Sequence, residues 1–379
     1  MSEQISPSVT IIGSRGYPSY YGGFETLVRK LAPYLAEHGW RVTVYGREQL
    51  AGDRRDEAHP GVKTTVTWGM DSKSLSTLTY GLSASVDAAR RKPDVALVLN
   101  VANGFYLPML KLRGVPTLVN VDGIEWERDK WGRAARALFR AGARCTAAAA
   151  DALILDSAAI AQQWSRDFGR SGYFIPYGGE QLDDVTPPLG LARRGYVLMV
   201  ARLVPENSVG AFLEAAREIS RRWPVVVVGS SGYGGAFEQE LTDLTSEQQD
   251  IRWLGHVSDD NLLFALWNNA GAYFHGHSVG GTNPALVQAM HCGAPTVARE
   301  TVYNREVLDE CGLYVEPVAA GITSRIFQLM DNSEQQEKLA RLARDRAART
   351  YGWNSVMESY RLALDDVQAN CRRVRWSHV

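Results

Sequence analysis

The stretch "SVTIIGSRGYPSYYGGFETLVRKLAPYLAEHGWRVTVYG" near the amino terminus constrains the fold more than any other part of the chain. It opens on a short β-branched run, "VTIIGS", and closes on a second, "RVTVYG". Between them Phe24, Leu27, Val28, Leu31 and Leu35 fall on one face of a helix of 3.6-residue period, which Gly39 stops. A strand, a helix and a strand within about 40 residues make a βαβ unit, whose two strands run parallel. The alternation continues through "KTTVTW", "DVALVLN", "TLVNVD", "ALILDS" and "YFIPYG". Several of these runs are apolar almost throughout, as strands covered on both faces must be.

The chain has 379 residues, too many for one ordinary core. The segment "EQLDDVTPPLGLARRG", residues 180 to 195, is polar, holds two prolines and lacks periodicity, which predicts an interdomain linker. After it the alternation restarts with "YVLMVAR", "PVVVVGS", "IRWLGHV", "AYFHGHS", "APTVAR" and "GLYVEP". The expected fold class is therefore α/β, with two tandem doubly wound Rossmann-like domains facing across a cleft. The first spans residues 1–185 and the second 190–356. A local echo of "IIGSRGYPSYYGG" in "VVGSSGYGG" also suggests two similar units. Ligands of such sheets bind beyond the carboxyl ends of the strands.

Composition removes several classes of function. Apolar residues make up 45% and charged residues 22%, as in a soluble globular protein rather than a disordered one. The formal net charge of −1 gives no global positive field to hold nucleic acid. The start "MSEQISPSVTIIGS" has no basic region ahead of an apolar core, and no run approaches 18 apolar residues. A cytoplasmic chain is expected. Its four cysteines, Cys145, Cys292, Cys311 and Cys371, lie far apart and are expected to be inert thiols.

Three features suit an anion. In "GGTNP", Thr282 or Asn283 is a good N-cap and Pro284 fits the first helical position, while Gly293 and Pro295 stop the helix. Gly280 and Gly281 thus lead into a positive helix end with free N–H groups. Gly22 and Gly23 stand in the same way at the start of the first helix. Arg202, in "VARLVPEN", falls at the carboxyl end of the second half's first strand, where an arginine can clamp a diphosphate. Each glycine loop alone reads equally as a tight turn, and a lone arginine reads first as a surface salt bridge. Together, on the same edge of two sheets, they point to a nucleoside diphosphate. Residues Ser14 to Pro18 lack the glycines of the dinucleotide fingerprint, and Arg47 stands where a ribose-binding acid is expected, so a nicotinamide reductase is a poor fit. No Asp-x-Asp pair occurs.

The segments "GSRGYPSYYGGFETLVRKLAPYLAEHG", "VNVDGIEWERDKWG", "ARLVPEN" and "HGHSVGGTNPALVQAMHCGAPTVA" resemble glycosyltransferase family 4. More narrowly they resemble the bacterial rhamnosyltransferase-like subgroup that opens with a GxRGxPxxYGGFE motif. The resemblance covers nearly the whole chain. It implies a GT-B fold and a retaining, metal-independent hexosyltransferase with no cofactor. The implied donor is a dTDP- or UDP-sugar, with dTDP-L-rhamnose the usual one. The implied acceptor is a saccharide on a polyprenyl diphosphate, in cell-surface polysaccharide or glycolipid assembly.

Carried over residue by residue, the resemblance implies donor-binding roles for Gly22, Gly23, Arg202, Asn207, His256, Gly281, Thr282, Asn283 and Gln288, and no metal site. Gln288 stands where the family usually has a glutamate that grips the ribose, and Asn207 stands where it usually has a lysine. Asp122, in "VDG", and Asp156, in "ILDS", end strands where relatives place acids near the transferred sugar. With Arg202 they are the candidate catalytic residues. Either aspartate also reads as an N-cap; for Asp122 function is the favoured reading. The last helix, about 357–379, is expected to pack back on the first domain, with Val356, Tyr360 and Leu364 on one face.

Arg133, Arg136, Arg140 and Arg144 recur at helical spacing in residues 131–144, beside Trp131, Leu138 and Phe139. They form either an ordinary solvated face or a peripheral contact with anionic lipid at the inner face of the cell membrane. A sugar-nucleotide epimerase on the same fold and a non-catalytic nucleotide-sugar-binding partner are the alternative functions.

Overall fold

The computed structural model describes residues 6–19, 22–47, 58–70, 76–128, 131–183, 185–232 and 234–376. Tyr20 and Tyr21 of the first glycine loop, and Asp184 of residues 180–195, lie outside the described residues. The described residues divide into two compact units. One takes the chain up to Glu127, then Trp131–Pro176, then Asn354 onward; the other takes Tyr177–Trp353 together with Arg128.

All thirteen apolar runs are strands. In the first unit these are β1 (Ser8–Ile12), β2 (Arg41–Gly46), β3 (Val62–Val66), β4 (Val95–Leu99), β5 (Thr117–Asn120), β6 (Ala152–Leu155) and β7 (Tyr173–Phe174). They pair in parallel throughout, in the order β3-β2-β1-β4-β5-β6-β7. The second unit holds β8 (Val197–Val200), β9 (Val225–Val228), β10 (Ile251–Trp253), β11 (Ala272–His275), β12 (Thr296–Arg299) and β13 (Gly312–Val315). They too are parallel, in the order β10-β9-β8-β11-β12-β13. Every residue of β4 and β9 is buried, because helices cover both faces of each sheet. On one face of the second sheet Phe212 stacks on Phe274 with centroids 5.1 Å apart.

Each order reverses direction once, between β1 and β4 in the first sheet and between β8 and β11 in the second. The connections leave these neighbouring strands toward opposite edges, so a crevice opens beyond their carboxyl ends. In sheets of this kind ligands commonly bind at such reversals.

One sequence expectation is corrected. The division falls after Pro176, and residues 180–195 run with the second unit rather than bridging the two. Asn269 Nδ2 donates to the Val185 carbonyl at 3.0 Å, Arg252 to the Leu189 carbonyl at 2.9 Å, and Leu191 is buried in the second core. The two units are alike, as the echo of "IIGS" in "VVGS" suggests, although the echo does not mark equivalent strands. The first follows β1, the second follows β9, and β9 occupies the place in its sheet that β2 occupies in the other.

The last helix, Trp353–Trp376, returns to the first unit from Asn354 onward. Val356, Tyr360 and Leu364 are all buried. Asn120 Nδ2 at the end of β5 donates to the Tyr360 hydroxyl at 2.6 Å, and Tyr34 donates to Glu358 at 2.8 Å.

Candidate functional site

In the second unit the crevice at the reversal is built by three loops. The loop after β8 carries Arg202, the loop after β11 carries Gly276 and His277, and the loop after β12 follows Arg299. Hydrogen bonds stitch them together. Ser208 Oγ donates to the Gly276 carbonyl at 2.7 Å, Arg299 donates to Ser208 Oγ at 3.1 Å, and the Ser278 N–H donates to the Glu206 carbonyl at 2.9 Å. Asn304 Nδ2 bonds the carbonyls of His277 and Arg299 at 3.0 and 2.9 Å.

Arg202 sits two residues beyond β8. Its backbone is pinned, the carbonyl accepting from Asn207 Nδ2 and from the Val204 N–H, both at 2.9 Å. Its side chain is exposed and engages no hydrogen bond or ion pair among the described residues. Asn207 is buried, and its amide donors hold the loop that presents the arginine.

The "GGTNP" segment enters the helix Pro284–His291. Asn283 is the N-cap and accepts from the Ala285 N–H at 3.0 Å; Pro284 occupies the first turn. Gly280 has a φ of +132°, with open space where a side chain would stand. Gly281 and the buried Thr282 complete the entry to the positive helix end. His256 is exposed beyond β10, at the sheet edge and two strands from β8.

Gln288 has a different employment from the ribose contact expected of a family glutamate. Its Oε1 accepts the Glu180 N–H at 3.0 Å and its Nε2 donates to the Glu180 carbonyl at 2.9 Å. The amide offers a donor and an acceptor at once to one backbone residue, which an ionised carboxylate cannot. Gln288→Glu is therefore expected to destabilise the second unit by about 1–3 kcal/mol, since an ionised carboxylate leaves the Glu180 carbonyl without its donor. The loss should deepen as pH rises, because only a protonated carboxyl restores a donor. Urea unfolding at two pH values checks this; an unchanged midpoint at both contradicts it.

Four residues of this site were not singled out from the sequence. Glu206 is 3% exposed and lies 4.0 Å from Arg128. His275 is 1% exposed and stacks on His277, with ring centroids 4.3 Å apart and planes at 12°. The signals were present: the acid in "PEN", the arginine in "EWER", and two histidines at i, i+2, which share one face of an extended segment.

In the first unit, Gly22 is the N-cap of the helix Gly23–Glu37. The buried Glu25 accepts the Arg15 N–H at 3.1 Å, tying the loop after β1 to the helix start. Arg47, after β2, lies with its guanidinium 5.0 Å from the Tyr80 ring centroid. Asp122 lies two residues beyond β5 with φ +62°, a conformation that asparagine and aspartate tolerate best among residues with a side chain. Its carboxylate accepts from Asn100 Nδ2 at 3.1 Å, and its N–H donates to Asn120 Oδ1 at 2.9 Å. Of the two readings of Asp156, the cap is taken by Ser157, whose hydroxyl accepts from the Ile160 N–H at 3.1 Å.

The basic stripe lies on the helix Arg133–Ala149. Arg133, Arg140 and Arg144 are exposed, whereas Arg136 is half-buried and donates to the Trp131 carbonyl at 2.9 Å. Among the described residues no helix is long and apolar enough to cross a membrane.

Comparison with known proteins bears on the two domains and their fold. Residues 22–178 match the glycosyl transferase 4-like domain, and residues 194–332 match glycosyl transferases group 1. The O-antigen chain mannosyltransferase B of Escherichia coli is 27% identical over 192 residues, which is 49% of either chain. The chain spans about half the length of the curated relatives it matches. Among solved structures, a sucrose-phosphate synthase from Thermosynechococcus elongatus has a TM-score of 0.80 at 17% identity, covering 96% of this chain and 100% of its own. Anabaena HepE in complex with UDP-glucose has a TM-score of 0.74 at 15% identity, covering 95% and 100%. With these two domains in this order on two parallel Rossmann-like sheets, the chain belongs to the GT-B glycosyltransferase family.

Proposed function

We propose that the protein is a retaining glycosyltransferase that moves a sugar from a nucleotide-sugar donor to a saccharide acceptor. The observation that carries this reading is Arg202, a guanidinium with no hydrogen bond or ion pair among the described residues, held by its backbone at the reversal between β8 and β11. The relatives add support. HepE has UDP-glucose bound, and the Escherichia coli relative bears the name of a mannosyltransferase.

In this reading the donor diphosphate lies against Arg202 and the N–H groups at the start of Pro284–His291. These groups oppose the negative charge that grows on the leaving phosphate. The bond from the anomeric carbon to the phosphate oxygen breaks. The bond to the acceptor oxygen forms on the same face, and the acceptor's proton passes to the departing phosphate. The arginine supplies the positive charge, so the reaction proceeds without a metal or other cofactor. Asn207 braces the arginine loop. Asp122 and Asp156 belong to the first unit, the acceptor's side in this reading, where a carboxylate steadies positive charge on the transferred sugar while the acceptor's proton goes to the phosphate. The bracing role of Gln288 accounts for its amide without any loss of catalysis, so no observation favours a non-catalytic partner.

The preferred donor is dTDP-L-rhamnose and the preferred acceptor a sugar on a polyprenyl diphosphate. Work on such an acceptor places the protein at the inner face of the membrane. There Arg133, Arg140 and Arg144 would each contribute about 1 kcal/mol of attraction to anionic lipid. Sedimentation with anionic vesicles at low salt should then fall sharply when these three arginines become glutamine; equal sedimentation removes the membrane contact.

A thermal-shift screen against dTDP, UDP, GDP and ADP tests the donor class. A nucleotide at a hundred times its dissociation constant should stabilise the fold by about 2.7 kcal/mol, and dTDP should give the largest shift. No shift with any of the four contradicts nucleotide-sugar binding.

A further inference from the structure

We propose that Asn100 is a positioning residue for sugar transfer: its side-chain amide holds the Asp122 carboxylate fixed for its work on the transferred sugar. The inference rests on the reading of Asp122 as the carboxylate that steadies positive charge there, and it adds the group that aims that carboxylate.

Asn100 directly follows β4, the strand that meets β1 at the reversal of the first sheet. Ligands of such sheets commonly bind beyond strand ends of this kind. Asp122 lies two residues beyond β5, the next strand. The Asn100 N–H donates to the Asn120 carbonyl at 2.9 Å, so the two strand ends stay side by side. Both residues have positive φ, +71° for Asn100 and +62° for Asp122. Residues with a side chain seldom adopt such a backbone. It persists where the surroundings over-determine it, and it gathers at functional sites.

Hydrogen bonding fixes which way each amide faces. The Ala102 N–H can only donate, and Asn100 Oδ1 accepts it at 2.9 Å. The Asn100 amide nitrogen is thereby turned toward Asp122, whose Oδ2 it reaches at 3.1 Å. Asn120 is committed in the same way. Its Oδ1 accepts the Asp122 N–H at 2.9 Å, and its Nδ2 donates to the hydroxyl of the buried Tyr360 at 2.6 Å. Asp122 is thus gripped at its backbone by Asn120 and at its carboxylate by Asn100. That grip matters because electrostatic help to a transition state comes from groups already in place before the charge develops.

As the N-cap of the short helix Val101–Tyr106, Asn100 has an ordinary structural duty as well. One substitution separates that duty from the proposed one. Aspartate caps a helix as well as asparagine does, and both are among the residues that best tolerate positive φ. Aspartate lacks the donor, and its second oxygen would face the Asp122 carboxylate.

A double-mutant cycle on kcat tests the inference. Release of nucleoside diphosphate from dTDP-L-rhamnose, UDP-glucose and GDP-mannose is followed with a polyprenyl-diphosphate-linked sugar as acceptor. Affinity for dTDP and UDP is titrated separately. Asn100→Asp should lower kcat by about 10²-fold while either nucleotide's dissociation constant stays within about twofold. Asn100→Gly answers the case in which Asn100→Asp fails to fold: glycine accepts the backbone, adds no charge, and should lower kcat by about tenfold. In an Asp122→Asn background, itself slow, either Asn100 substitution should cost less than about threefold more. Normal kcat in both Asn100 variants, beside a slow Asp122→Asn, overturns the inference and leaves the role of Asp122 standing. Equal losses in the wild-type and Asp122→Asn backgrounds also overturn it, because Asn100 then acts on the fold and not through Asp122. Full turnover by Asp122→Asn removes the role of Asp122, and this inference with it. No release by the wild type from any of the three donors contradicts the transferase reading, and the inference falls too.

Discussion

Arg202→Ala should lower kcat/KM for sugar transfer by about 10²–10³-fold, the size of effect seen when one preorganised donor to a developing anion is removed. The substitution is unusually clean. The side chain is exposed and engages nothing among the described residues, so its loss leaves no orphaned partner. The loop is held by the Arg202 carbonyl, through Asn207 and Val204, and alanine keeps that carbonyl. Stability should therefore change by less than about 0.5 kcal/mol. Steady-state kinetics and a melting curve on the same preparation separate the two effects. Near-normal turnover refutes the assignment. A large drop in stability would mean that the arginine supports the fold instead.

The second large effect is structural and acts on the same loop. Gly229 follows β9 with φ +128°, a region open essentially to glycine alone. Its carbonyl accepts from Trp253 Nε1 at 2.9 Å and its N–H donates to the Gly255 carbonyl at 2.7 Å, so the turn cannot swing away cheaply. A Cβ built on it would stand 1.9 Å from the Ala201 carbonyl oxygen, directly before Arg202. Gly229→Ala should cost about 3 kcal/mol or more, combining the forbidden φ with overlap against backbone. Because the overlap pushes on Ala201, the molecules that remain folded should also bind nucleotide more weakly. Chemical denaturation measures the first effect and titration the second. A variant as stable as the parent would show that this backbone is freer than the fold implies.

What the sequence made legible follows from periodicity. Thirteen short runs announced thirteen strands, most clearly the central ones such as β4 and β9, because a strand covered on both faces has no room for polar side chains. Asn283 and Pro284 announced a helix start, because the free N–H groups there select those residue types. The GT-B class followed from the same pattern with the motif resemblance. The unit boundary was harder. Residues 180–195 have the composition of a linker, yet their backbone is tied to Asn268, Asn269 and Gln288, pairings between residues 83 to 108 positions apart. Composition cannot report such pairings. For the same reason Gln288 read as a substituted ribose ligand, and only the fold revealed the backbone residue it serves. Asp156 read equally as a cap and as a catalytic acid, because an acid before a helix can be either; Ser157, one position later, takes the cap. The histidine pair escaped notice because "HGH" read as the plain end of a strand, with no sign that the two rings would stack.

The central claim is that a guanidinium and a helix end in the second unit, rather than a metal ion, hold the donor diphosphate. Amide hydrogen exchange in EDTA, with and without dTDP or UDP, tests it most directly. The account predicts that nucleotide slows exchange across residues 201–208 and 276–285, and that Arg202→Ala removes much of this protection. Protection that appears only after magnesium is added, or that falls elsewhere and spares both segments, would contradict it.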